Sequence, residues 1–245
     1  LPQWFEGSEY THKVAVCVMK YGPISRITLA QILGLSQGAV SRITSDLIYA
    51  GVIEETPMPS GKAGKLPKGF VQKENAERRG RPQMGLRIIK NARSFVGMKI
   101  NATHISAVAV NAIGQIITGC HDLEIEDTSP QTVVALIKQL TIDCSDEAEM
   151  AGWPKPCAVG ISLGGYVVDN AVVTFAPFMH WSQPVELSAM VHEATGLPTG
   201  IYNDIDSLVV DAFLFGSGVG LDSFAVLTFG AGVGYSLTVN GELVS

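Results

Sequence analysis

The chain has 245 residues, of which 47% are hydrophobic and 16% charged, and its formal net charge is −6. That apolar content excludes a disordered chain, and the length suits one or two domains with buried cores. A negative average speaks against a nucleic-acid partner, yet it hides a split: residues 1–93 hold fourteen Lys and Arg against seven acids, a surplus of +7, whereas residues 94–245 hold three lysines and no arginine against sixteen acids, which is −13. Such a division points to two domains with different partners. The four cysteines (Cys17, Cys120, Cys144, Cys157) are far apart in sequence and form no C-x-x-C pair, so neither a metal clip nor a disulfide framework is signalled. No apolar run reaches the roughly 18 residues of a membrane span, and Glu6, Glu9 and His12 stand where a signal peptide would be apolar. The expectation is a cytoplasmic protein with no membrane partner.

Val14, Cys17, Val18 and Tyr21 recur at i, i+3, i+4 and i+7 and predict a helix over 10–21, ended by Gly22-Pro23. Thr28 with Gln31 three residues on predicts the capped start of a second helix, with Leu29, Ile32 and Leu33 inward and Gly34 as its stop. Ser36 then caps a third helix, 36–50, that turns Val40, Ile43, Leu47 and Ile48 inward and leaves Gln37, Gly38, Ser41, Arg42 and Ser45 outside. Two short helices joined through Gly34-Leu35-Ser36 make a helix-turn-helix. Small residues let a helix seat in the major groove, roughly 12 Å wide, while Gln37 and Arg42 reach base edges. Any solvated helix face is also polar, so the stripe by itself leaves both readings open.

Val52–Glu55 and Gly85–Ile89 read as the two strands of a hairpin wing. Residues 60–90 carry nine Lys or Arg against Glu74 and Glu77, the whole surplus of the first third. Within the wing, Arg79-Gly80-Arg81-Pro82 has the form of an AT-hook core, whose arginines enter the narrow minor groove of A·T tracts. A solvated loop is the alternative reading.

The acidic two-thirds begins with strands at Phe95–Ile100, Ile105–Val110 and Gln115–Leu123. A helix at Gln131–Leu140 after Pro130, a strand at Cys157–Leu163, helices at Val185–Ala194 and Ile205–Phe215, and strands at Phe224–Phe229 and Gly232–Val239 follow. Three strands, then a helix, a strand and further crossovers, give an α/β fold, with the actin-like, ribonuclease H-like arrangement one option among several.

The run Gly22 to Arg26, Thr28-Leu29-Ala30-Gln31, Gly34-Leu35-Ser36, Val40-Ser41-Arg42 and Leu47 to Ile53 resembles the winged helix-turn-helix of the ROK (repressor, open reading frame, kinase) family, and Gly80-Arg81-Pro82 matches its wing. Residues 59–78 look like an insertion in that wing. Gly97 to Val110 with Gly114, Val159 to Val168, Asn203-Asp204 and Leu227 to Gly234 are similar to the family's phosphate segment, its glycine-rich turn, its Asn-Asp pair and its second glycine-rich hairpin. The resemblance implies a winged helix-turn-helix domain at 1–90 and an actin-like ATPase-fold lobe at 91–245. It further implies a transcriptional regulator, expected to be a repressor, of the N-acetylglucosamine or xylose type. The regulator would put helix 36–50 (Ser36, Gln37, Gly38, Ser41, Arg42, Ser45) in the major groove of operator DNA and the wing (Arg79, Gly80, Arg81) in the minor groove, would respond to a sugar effector, and would assemble as a homodimer or tetramer.

The resemblance also implies that Asn203 and Asp204 contact the sugar, with Gly164, Gly165 and His180 beside them. A carboxylate next to an amide suits adjacent hydroxyls, although the same pair also caps a helix. Phe178 stands where the family often has an amide. The alternative, a sugar kinase with a DNA-binding head, needs a carboxylate and glycines in the first phosphate segment. Here that segment is Lys99-Ile100-Asn101-Ala102-Thr103, so no kinase activity is expected. No cofactor is expected in these residues. The family's sugar-binding Glu and His and its zinc site would follow Ser245, which suggests a piece of a longer repressor.

Overall fold

The computed structural model describes residues 7–58, 66–67, 69–70, 84–230 and 232–244. They fall into two compact units. One holds the described residues between 7 and 92 together with 209–226 and 236–244; the other holds Arg93–Leu208 with Leu227–Tyr235.

The first unit opens with three helices, α1 (Glu9–Tyr21), α2 (Arg26–Leu33) and α3 (Gln37–Tyr49), and an antiparallel pair, β1 (Ile53–Pro57) and β2 (Met84–Ile88). Ser8 and Thr11 close a reciprocal capping box on α1. The start of α2 differs from the sequence expectation: Ser25, not Thr28, is the cap, its hydroxyl accepting from the Thr28 N–H at 3.1 Å. Thr28 then sits one turn inside, and the buried face is Thr28, Leu29 and Ala30, with Ile32 and Leu33 only half-buried. Gly34 ends α2 at φ 63, a left-handed turn that favours glycine. Val14, Ile24, Leu29, Val40, Leu47 and Ile53 form the core of these elements. Ile24 exchanges both backbone hydrogen bonds with Leu86, at 3.0 and 2.8 Å, and so joins the start of α2 to β2.

The second unit is mixed α/β. Its sheet runs β5 (His121–Glu124), β4 (His104–Asn111), β3 (Ser94–Ile100), β6 (Pro156–Leu163), β9 (Thr199–Asn203), antiparallel from β5 to β3 and parallel from β3 through β6 to β9. The helices α4 (Pro130–Met150) and α5 (Leu187–Thr195) cross over it, and Ile137, Leu140, Val159, Ile161, Leu187 and Val191 are among the residues buried between. Between β6 and α5 lie a hairpin, β7 (Tyr166–Val168) and β8 (Val172–Phe175), and a 3-10 turn at Pro177–Met179. After β9 the chain continues into α6 (Asp204–Leu214) and a three-stranded sheet, β10 (Phe224–Phe229), β11 (Val233–Val239) and β12 (Glu242–Val244), whose residues are divided between the two units.

Two expectations need correction. α4 runs 21 residues rather than ten, because Cys144 and Ala148 extend the buried stripe past Leu140. The buried hydroxyls of Thr141 and Ser145 donate back to the Ile137 and Thr141 carbonyls at 2.8 and 2.6 Å, so polar side chains that read as a break are satisfied within the helix. The strand expected over Gln115–Leu123 shrinks to β5. Asn111 folds the chain into a turn by accepting from the Ile113 and Gln115 N–H groups, and Ile116 makes only an isolated bridge to Val110. No helix among the described residues is long and apolar enough to cross a membrane, and no group of three His, Cys, Asp or Glu among them is placed to hold a metal.

Candidate functional site

The outward face of α3 is the first of three places that carry chemistry. The Ser36 hydroxyl accepts from the Ala39 N–H at 3.2 Å and fixes the helix start. Gln37, Gly38, Ser41, Arg42 and Ser45 are all exposed. The Ser45 hydroxyl donates to the Ser41 carbonyl at 2.9 Å, which folds it back onto its own helix and keeps the face low. A Cβ at Gly38 would meet nothing within 4 Å, so no described residue crowds that position. Arg26 donates to Glu55 at 2.7 Å and to Thr44 at 2.9 Å, and Arg87 donates to Glu54 at 2.7 Å. Arg42 makes no such bond among the described residues. The sequence-derived wing residues Arg79, Gly80 and Arg81 lie outside the described residues.

The second place is the join of β9 and α6. Asn203 is engaged at both ends: its Oδ1 accepts from the Ile205 and Asp206 N–H groups at 2.8 and 3.3 Å, and its Nδ2 donates to the Gly165 carbonyl at 2.9 Å. It is thus the cap of α6 and the tie that holds the β6–β7 turn beside it. Asp204 is half-buried and makes no hydrogen bond or ion pair among the described residues. A Cβ on Gly164 would lie 3.1 Å from the Phe178 ring and 3.7 Å from the Asp204 carboxylate, so ring and carboxylate flank one small space. Gly165 has none: a Cβ there would run into the Phe175 carbonyl and stand 3.1 Å from Leu163. Four of the five sequence-derived candidates, Asn203, Asp204, Gly164 and Gly165, therefore come together with Phe178. His180, exposed at φ 55, lines a separate open cleft of about 600 Å³ with Asp127, Trp181 and Glu186, none of the other four among its walls. The Trp181 indole N–H donates to the Thr128 carbonyl at 2.6 Å, which fixes that ring as a wall. Hydrogen bonds from Ser129 and Thr132 hold the Asp127 carboxyl below its ordinary range.

The third place is the turn between β3 and β4. Asn101 Oδ1 accepts from the Thr103 N–H at 2.9 Å and the His104 N–H at 2.8 Å. Two amides that a phosphate-binding turn would direct at its anion are occupied by a side chain of the chain itself. The sequence shows that both the carboxylate and the glycines are replaced here; an Asn followed two residues later by Thr is the further signal of this self-closing turn.

A model of the ROK family matches residues 95–245, well over half of the chain. The chain belongs to the ROK family. Its relatives in that family include the xylose repressor of Bacillus spizizenii, 22% identical over 92% of this chain and 54% of the repressor. The chain spans about half the length of the curated repressors it matches. A crystal structure of a ROK family transcriptional regulator, a homolog of E. coli Mlc, shares its fold with a TM-score of 0.73 at 23% identity, over 96% of this chain and 55% of that one. The ROK family glucokinase from Streptomyces griseus, in complex with glucose and AMPPNP, is 29% identical with a TM-score of 0.53, over 62% of this chain and 46% of that one.

Proposed function

We propose that this ROK chain is a DNA-binding transcriptional regulator of carbohydrate metabolism, acting as a repressor and responding to a sugar effector. Residues 1–90 are its winged helix-turn-helix in this reading, with α3 as the helix that enters the major groove and Arg79, Gly80 and Arg81 as the residues that read the minor groove. The acidic remainder is an actin-like lobe that binds the effector and, in the whole protein, takes part in a dimer or tetramer. The observation that carries this reading is the α3 face, where Gly38 is uncrowded and Arg42 unanswered among the described residues. The breadth of the similarity supports it: the xylose repressor matches 92% of the chain, whereas the glucokinase matches 62%.

Anisotropy titration of the full-length protein against its own promoter region tests the reading. Arg42→Ala is expected to weaken binding about tenfold to a hundredfold and to relax sequence choice, as loss of a bidentate base contact does. Arg81→Ala should weaken A·T-rich flanks most. No binding at low salt, or binding indifferent to both substitutions together, refutes it.

Kinase chemistry has less support. Asp204 is a suitable base, but Lys99 replaces the carboxylate a metal-nucleotide needs, and Asn101 closes the turn where phosphates would lie. Asp204 beside Phe178 instead offers a sugar one carboxylate and one apolar wall. Thermal-shift screening with sugars and phosphosugars should find a ligand whose effect Asp204→Asn removes.

A further inference from the structure

α1 and the last turn of α6 belong to the same compact unit, and a lysine joins them. Lys20 holds its Nζ 3.1 Å from the centroid of the Phe213 ring and 5.2 Å from that of Tyr21. It makes no ion pair among the described residues; Asp222 acts on it only from farther away. The Phe213 ring is itself held in place. It stacks on Phe224 of β10, with centroids 6.5 Å apart and planes 19° apart, and a Cβ on Gly241, in the turn between β11 and β12, would stand 3.7 Å from it. That turn is tied in by the Gly241 N–H, which donates to the Asp222 carbonyl at 2.7 Å. The corner is dry. Burial pushes the Cys17 thiol up to about 11 and the Tyr21 phenol up to about 12, and pushes the Lys20 amine down to about 8.

The helix that ends on this ring begins at Asp204 under the cap of Asn203. Its eleven residues make a rod of about 16 Å. Helix order is cooperative along the backbone, so a loss of order in the first turn of α6 is felt in its last.

We propose that the Lys20–Phe213 contact couples α6 to α1, and thereby makes the DNA-binding head responsive to what occupies the start of α6. The inference rests on the reading of residues 1–90 as that head. A cation on a ring suits the task because two effects oppose each other: withdrawing the amine from water is unfavourable, and the negative face of the ring offsets part of that. A small displacement of the ring is then enough to return the amine to water. A carboxylate in place of the ring would hold the amine through a wider range of movement.

Hydrogen exchange of the amides of residues 9–21, measured in the full-length protein, reads the coupling directly. Phe213→Leu keeps apolar bulk but removes the ring face, and is expected to speed exchange in α1 about tenfold. Lys20→Met keeps the reach without the charge and is expected to slow it. Asn203→Ala, which uncaps α6, should speed exchange in α1 about threefold in the otherwise unchanged protein, and not in Phe213→Leu. The proposal is overturned if Phe213→Leu leaves α1 unaffected, or if Asn203→Ala acts on α1 equally with and without the ring. Absence of operator binding by the unchanged protein would refute the DNA reading alone, since the exchange comparison judges the contact separately.

Discussion

Gly165 and Gly38 mark two regions that use the same residue for opposite reasons. At Gly165 the chain presses on itself, and a methyl group would collide with the Phe175 carbonyl; at Gly38 there is nothing within 4 Å to collide with. The first glycine is explained by the fold. The second is a cost to the helix for which no contact with a described residue accounts, and under the proposed function it serves the approach of DNA to α3. Crowding thus separates residues that shape the Asn203–Asp204 corner from residues that present a surface.

The largest expected effect is at the crowded glycine. Gly165→Ala should destabilise by about 2–3 kcal/mol in chemical denaturation, as overpacking against backbone does. Asn203→Ala comes next, at about 1–2 kcal/mol, for the lost cap and the unanswered Gly165 carbonyl. Asn203→Asp, which keeps the cap but not the donor, should lie between that and the unchanged protein. Gly38→Ala reverses the sign. It should stabilise by about 0.5 kcal/mol while weakening operator binding, and a variant that gained stability without losing affinity would remove the argument from Gly38.

The smallest expected effect is a pH dependence. Below about pH 8 both folded and unfolded chains hold the Lys20 proton, and folding bears the full cost of the buried charge. Above it the folded chain releases that proton first, so stability rises with pH toward the ordinary lysine range. Cys17 and Tyr21, held above their ordinary ranges, act in the opposite direction from about pH 9 upward. Melting temperature should therefore climb between pH 8 and 9 in the unchanged protein and stay level in Lys20→Met.

Much of this was legible in the sequence where a local pattern decides the outcome. The Gly34 stop, the Ser36 cap and the exposed set Gln37, Gly38, Ser41, Arg42 and Ser45 follow from spacing, since a short amphipathic helix has one face to bury. Ser25 was harder to see because Thr28 offers the same chemistry three residues later, and the two hydroxyls in fact bond each other at 2.9 Å. β9 has Gly200 as its second residue and no alternation to mark it, so only its parallel pairing with β6 makes it a strand. The link between Asn203 and Gly165 spans 38 positions in sequence and was out of reach of any local pattern.

The ion pairs of the first unit bear on how salt would act on operator binding. An arginine already answered by a carboxylate displaces no condensed ions from DNA, and Arg26 and Arg87 are answered by Glu55 and Glu54. Lys13 is paired with Glu9 and Lys20 rests on a ring, which leaves Arg42 and Lys90 among the described cations of that unit. Each phosphate neutralised contributes about 0.9 to the slope of log affinity against log salt. These two cations account for a slope of no more than about 1.8 per head on that basis, and a steeper dependence calls for cations beyond them.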